Sequence, residues 1–137
     1  MNERPKILVV DDEPEIQNYM KDELGSQGYR VLSASDGASA VQLAQSEVPH
    51  LILLDLKIPI LDGYQVLKRL KSDVRSRHIP VLVITGRVEM EWVMLAVECG
   101  ADGCMVKPVH RNTLLEQVQS HLAGGPRREG DAPSPSS

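Results

Sequence analysis

Five short apolar runs, each followed by a segment of helical spacing, occupy the chain between Lys6 and Ala123. The runs are Lys6–Val10, Arg30–Ala34, His50–Leu54, Val81–Thr85 and Gly103–Val106. Strand-length runs without polar alternation belong to strands covered on both faces, and helices between them make the sheet parallel. Right-handed crossovers leave few topologies for such a chain. The expected fold is therefore α/β, a doubly wound five-stranded parallel sheet in the order 2-1-3-4-5. In that order the first and third strands flank the switch point, where ligands bind beside the carboxyl ends of the strands.

The intervening segments predict helices over Glu15–Gln27, Ala38–Glu47, Gly63–Ser72, Glu89–Cys99 and Asn112–Ala123. Pro14 opens the first, and Gly25 and Gly28 mark its end. Spacing turns Ile16, Met20 and Leu24 inward in the first helix, Val41 and Ala44 in the second, and Tyr64, Leu67 and Leu70 in the third. The last helix is expected to bury Leu115, Val118 and Leu122. The Glu89–Cys99 segment carries two apolar stripes. Met90, Met94 and Val97 form one, which suits the core. Val88, Trp92, Leu95 and Cys99 form the other, nearly opposite, and predict an outward surface for a partner.

With 137 residues the chain predicts one domain, spanning 1–123. Nine of the 14 residues of 124–137 are Gly, Pro or Ser, so this stretch reads as a flexible tail or linker stub. Phenylalanine is absent, so aliphatic side chains must fill the core. A net charge of −4 argues against direct nucleic-acid binding by this domain. No apolar run approaches a membrane span, and no secretory signal precedes the first strand. Cys99 and Cys104 cannot make a disulfide framework, and the expected location is cytoplasmic. His50, His78, His110 and His121 are scattered over different elements and are expected to be non-ligands.

Polar residues stand at four strand ends. The first strand runs into Asp11-Asp12 with Glu13 next, the third into Asp55, the fourth into Thr85-Gly86, and the fifth into Lys107-Pro108. Each alone is an ordinary helix cap, turn or strand exit. Together, on one edge of the expected sheet, they make a site. Clustered carboxylates repel one another unless a hard cation sits among them, and Mg²⁺ suits oxygen ligands with retained water. Lys107 adds a fixed cation and Thr85 a hydroxyl. An acidic cluster faced by a cation and a donor fits a phosphoryl group. Asp55, at the centre, can act as nucleophile and form an acyl phosphate.

These residues resemble the receiver domain of two-component response regulators. The matching pieces are Asp11-Asp12, the run Leu51-Ile52-Leu53-Leu54-Asp55-Leu56-Lys57-Ile58-Pro59, then Asp62-Gly63, Thr85-Gly86, Gly100-Ala101-Asp102 and Lys107-Pro108. The resemblance covers residues 5–123. It implies that Asp55 accepts a phosphoryl group from a sensor histidine kinase or phosphotransfer protein. It also implies that Asp12, Asp55 and the backbone carbonyl of Lys57 hold Mg²⁺, with Asp11 assisting, and that Thr85 and Lys107 bind phosphoryl oxygens. A cis Lys107–Pro108 bond is expected. Such a protein is a switch rather than an enzyme: it catalyses only its own phosphorylation and dephosphorylation, and the surface around the 89–99 segment, the fifth strand and the last helix changes.

The chain departs from the family pattern in places. Cys104 stands where an aromatic switch residue is common, Val109 replaces the usual aromatic after Lys-Pro, and Ile58 and Leu61 stand where Met is common. The resemblance implies that Lys57 and Arg87 stand at positions beside the path of the hydrolytic water, where two long cations are expected to prolong the phosphoryl lifetime. Trp92 and Leu95 are expected at an interface, with a homodimer through the 89–99 helix one possibility. The alternative function is a receiver-like interaction module that is never phosphorylated. An acidic first loop and the lack of a glycine-rich phosphate loop argue against a flavin or nucleotide enzyme. Without an effector domain after residue 123, the chain reads as a stand-alone receiver or as part of a longer protein.

Overall fold

Strand β1 (Lys6–Val10) lies between β2 (Arg30–Ala34) and β3 (Leu51–Asp55), which is the central strand of the sheet. The computed structural model describes residues 4–57, 63–86, 94 and 97–123. Strands β4 (Val81–Thr85) and β5 (Gly103–Val106) complete a five-stranded sheet in the order β2-β1-β3-β4-β5. All four pairings are parallel, as the crossover argument requires. Val10 pairs with both Ala34 and Leu54, Asp55 with Ile84, and Thr85 with Val106. The strands thus finish in step, and their polar endings share one edge.

Helices cover both faces. α1 (Pro14–Ser26) and the last helix (Arg111–Ala123) pack Met20, Leu24, Leu114 and Val118 against Ile7, Val9, Leu53 and Ile84. α2 (Gly37–Glu47) and α3 (Gly63–Ser72) pack Ala40, Ala44, Val66, Leu67 and Leu70 against Leu8, Val10, Ile52 and Val83. Every residue of β3 and β4 is buried, which is why their sequences show no alternation. Truncating a side chain such as Leu67 to Ala in such a core costs about 2–5 kcal/mol.

Three sequence expectations shift. β3 begins at Leu51 rather than His50 and includes Asp55. Paired with Ile84, Asp55 is held as rigidly as the strand itself. The last helix buries Leu114 and Val118 fully, whereas Leu115 and Leu122 are only partly buried. The third shift is larger. Met94 and Val97, expected in the core, are 56% and 59% exposed, while Cys99 packs against the cluster under α2 and α3. The two stripes of this segment are similarly apolar, so periodicity finds the faces without choosing between them. Ala101 and Cys104, packed on the same cluster, favour the Cys99 side. Val88, Met90, Trp92 and Leu95 lie outside the described residues.

One glycine is imposed by sterics. The Gly63 N–H donates to the Leu56 carbonyl at 3.1 Å. A Cβ on Gly63 would run into the Leu56 backbone, 2.9 Å from its oxygen. The turn after Asp55 closes only because nothing projects there.

The histidines are less scattered than their sequence positions suggest. His50, His78 and His121 line a cavity of about 270 Å³ with Pro5, Val48 and Ile79, at the amino ends of β1, β3 and β4. His50 Nδ1 accepts from the Lys6 N–H at 2.9 Å, and His121 Nδ1 donates to the Gln117 carbonyl at 2.9 Å. Both rings are thereby engaged with the backbone.

Candidate functional site

At the opposite edge, the carboxyl ends of β1, β3, β4 and β5 bring Asp11, Asp12, Asp55, Thr85 and Lys107 together. Asp55 leaves β3 with both carboxylate oxygens engaged. Oδ1 accepts from the Lys57 N–H at 2.9 Å, and Oδ2 accepts from Lys107 Nζ at 2.9 Å. Lys107 is placed by the last bond of the β4–β5 edge, where its N–H donates to the Thr85 carbonyl at 2.8 Å. Thr85 itself is buried at the end of β4. The Lys107–Pro108 peptide is cis, as the resemblance implies.

Asp11 is 1% exposed and caps the turn into α1, with Oδ1 accepting from the Glu13 N–H at 2.9 Å. Its backbone is pinned as well. The Asp11 N–H donates to the Ala34 carbonyl at 3.1 Å, and the Gln17 amide donates to the carbonyls of Asp11 and Ala34. No local spacing marks Gln17, because its partners lie at the ends of β1 and β2.

The carboxyl of Asp11 is pushed up to about 6, chiefly by burial and further by the Asp55 and Glu13 charges, against the pull of the Glu13 N–H and Lys107. Burial opposes the Lys107 charge. The hydrogen bond and charge of Asp55, with Asp11 and Glu13, outweigh that and hold the ammonium up at about 12.

The group is short of positive charge. Asp11, Asp12, Glu13 and Asp55 each offer a carboxylate oxygen, all within 4.8 Å of one another. Among the described residues, Lys107 is the cation that reaches them, at 2.9 Å from Asp55, 3.4 Å from Glu13 and 3.5 Å from Asp11. Asp11 Oδ2 is buried and, among the described residues, accepts no hydrogen bond, with the Lys107 ammonium 3.5 Å away. An orphaned buried oxygen among crowded carboxylates fits a hard divalent cation, which would supply the missing charge. Asp12 is exposed and stands at the open side of the cluster. The Lys57 side chain is exposed, while its N–H is the group that touches Asp55. Arg87 lies outside the described residues.

Glu13 is the residue whose part the sequence left undefined. As the helix N-cap it makes no side-chain capping bond. Its carboxylate turns to Lys107 instead.

The family model described as the response regulator receiver domain matches residues 7–119. The chain belongs to this family. Receiver domains of response regulators are the phosphorylation-dependent signalling switches of two-component systems, not classical enzymes. The alkaline phosphatase synthesis transcriptional regulatory protein PhoP of Bacillus subtilis is 40% identical over 129 residues, covering 94% of this chain and 52% of PhoP. Protein PilH of Pseudomonas aeruginosa is 34% identical over 119 residues, covering 87% of this chain and 98% of PilH. The chain spans about half the length of regulators such as PhoP and nearly the whole length of PilH. Among solved structures, the receiver domain of sensor histidine kinase PA1611 of Pseudomonas aeruginosa superposes with a TM-score of 0.82 at 28% identity, covering 88% of this chain and 99% of that one. That structure has a magnesium ion coordinated in its active-site cleft. Among the described residues of this receiver domain, no helix is long and apolar enough to cross a membrane.

Proposed function

We propose that residues 1–123 form a receiver unit that takes a phosphoryl group on Asp55 from the phosphohistidine of a sensor kinase or phosphotransfer protein. The observation that carries this reading is the pair of contacts on Asp55. One oxygen is held by the Lys57 N–H and the other by Lys107, so the carboxylate is fixed at the strand end beside a cation.

In the transfer, an Asp55 oxygen forms the new bond to phosphorus. The P–N bond to the donor imidazole breaks, its electron pair stays on that nitrogen, and solvent protonates the ring. Lys107 offsets charge on the phosphoryl oxygens, and the Thr85 hydroxyl donates to one of them. Asp12, Asp55 and the Lys57 carbonyl, with Asp11 assisting, are the groups that would hold Mg²⁺. Bound there, the ion would neutralise the carboxylates and the charge developing on the phosphoryl group. The acyl phosphate carries about −1.5 to −2 where the carboxylate carried about −1, and this extra charge, spread over the phosphoryl oxygens, shifts a pre-existing equilibrium in the surface around β5, the last helix and the 89–99 segment. A kinase, a target or a second copy of the chain would read that surface. Lys57 and Arg87 lengthen the phosphoryl lifetime by covering its oxygens.

The test is incubation with a small phosphodonor and Mg²⁺, read by intact mass. The chain is expected to gain one phosphoryl group, and Asp55→Asn and chelator are each expected to abolish the gain. Labelling of Asp55→Asn at the wild-type level would refute the assignment. An unlabelled wild-type chain would favour the unphosphorylated interaction module.

A further inference from the structure

We infer that Glu13 gates phosphoryl transfer by competing with the incoming phosphoryl group for the Lys107 ammonium. This rests on Asp55 being the acceptor. Three carboxylates crowd one ammonium. Lys107 Nζ donates to Asp55 at 2.9 Å and to Glu13 at 3.4 Å, and Asp11 Oδ2 lies 3.5 Å away.

A phosphoryl group arriving on Asp55 must draw the same ammonium, so a contact has to be given up. Asp55 carries the new group and stays. Asp11 is buried, with its other oxygen fixed by the Glu13 N–H. Glu13 has a side chain 60% exposed, so water can take back its carboxylate at small cost. It is the contact that yields.

Two further observations set Glu13 apart from an ordinary surface acid. It sits at the N-cap of α1, where a short polar side chain would bond the first-turn N–H groups, yet it makes no such bond. Its carboxylate also belongs to the group of four whose oxygens lie within 4.8 Å. There it adds negative charge to a site that an anionic donor has to enter. The same charge favours a divalent cation. Glu13 therefore strengthens cation binding and slows transfer. It is a positioning and rate-setting residue acting through Lys107.

The test uses the whole chain and acetyl phosphate, with Mg²⁺ brought to saturation as judged by calorimetric titration of the metal alone. In the reaction an Asp55 oxygen bonds to phosphorus, the P–O bond to the acetyl group breaks, and acetate leaves with the electron pair. Glu13→Gln keeps the size and removes the charge. It is expected to label about two- to fivefold faster than wild type, the range expected for one exposed ion pair. Its rate should also depend less steeply on ionic strength, and its Mg²⁺ affinity should fall by a similar factor. Glu13→Asp keeps the charge but is one methylene too short to hold Lys107, and it too is expected to label faster than wild type. Labelling of Glu13→Gln at or below the wild-type rate would overturn the gate, and so would a wild-type rate for Glu13→Asp. A wild-type chain that takes no label would instead overturn the acceptor role of Asp55.

Discussion

Lys107 and Asp55 are 52 residues apart in the chain and 2.9 Å apart in space. The pair bridges β5 and β3 across β4, which ends between them. This arrangement makes the site an electrostatic compromise, in which one ammonium serves several carboxylates.

Without metal, that compromise should cost stability. Asp11 is buried with an oxygen that accepts no hydrogen bond, and it faces other carboxylates. Asp11→Asn removes the buried charge and retains an oxygen for the Glu13 N–H. In chelator at pH 7 the variant should be about 1–3 kcal/mol more stable than wild type, as the desolvation cost of a buried polar group implies. Urea unfolding measures this. A less stable variant would mean that Lys107 fully compensates Asp11.

Gly63→Ala should damage both fold and function. The added methyl meets the Leu56 backbone, and Leu56 follows Asp55 directly. A loss of about 1–3 kcal/mol is expected from overpacking, with slower labelling of Asp55 under conditions where the variant remains folded. Labelling at the wild-type rate would show that the turn can shift without moving the acceptor.

Decay of the phosphorylated form should be faster in Lys57→Ala and in Arg87→Ala. Chase experiments after removal of donor, read by intact mass, give the rate directly. Unchanged decay in both would leave the two cations as solvated surface charges.

Asp73 supplies a pH-dependent stability term. Its carboxylate accepts from the Arg75 side chain and N–H, and from Gln45 of α2. The Arg75 contacts hold its carboxyl down at about 2, below the ordinary 3.8. The folded chain therefore releases this proton more readily than the unfolded chain. The stabilisation is full above pH 4 and is lost as pH falls through about 2. The difference in urea midpoint between wild type and Asp73→Asn should close over that window. A constant difference would assign the effect to geometry rather than charge.

Polar substitution of Met94 and Val97 should leave stability within about 0.5 kcal/mol of wild type, since both are exposed. Substituting Cys99 by a larger polar residue should cost more, because it packs on the core. The reverse ranking would restore the face that the sequence pattern favours.

Much of the architecture was legible because it is written in runs. Continuous aliphatic segments such as Leu51–Leu54 and Val81–Ile84 demand cover on both faces, and parallel crossovers do the rest. The convergence of Asp11, Asp55, Thr85 and Lys107 followed from the strand order. What stayed hidden depended on choices that periodicity does not make. Two similarly apolar stripes flank the segment containing Met94 and Cys99, so hydrophobicity alone could not decide which faced inward. Glu13 looked like a helix cap, and only the position of Lys107 shows its carboxylate turned elsewhere. Histidines 50, 78 and 121 share a cavity through contacts between elements that no local spacing encodes.

The bond from Gly63 to the Leu56 carbonyl ties the chain shut at both ends of residues 57–62. Anything carried by that stretch hangs from a fixed clasp, and the clasp sits next to the acceptor. Exchanging residues 58–62 as a cassette should therefore leave Asp55 in place, and labelling by acetyl phosphate should continue. The stretch can change its sequence without moving the acceptor, although the two are neighbours in the chain.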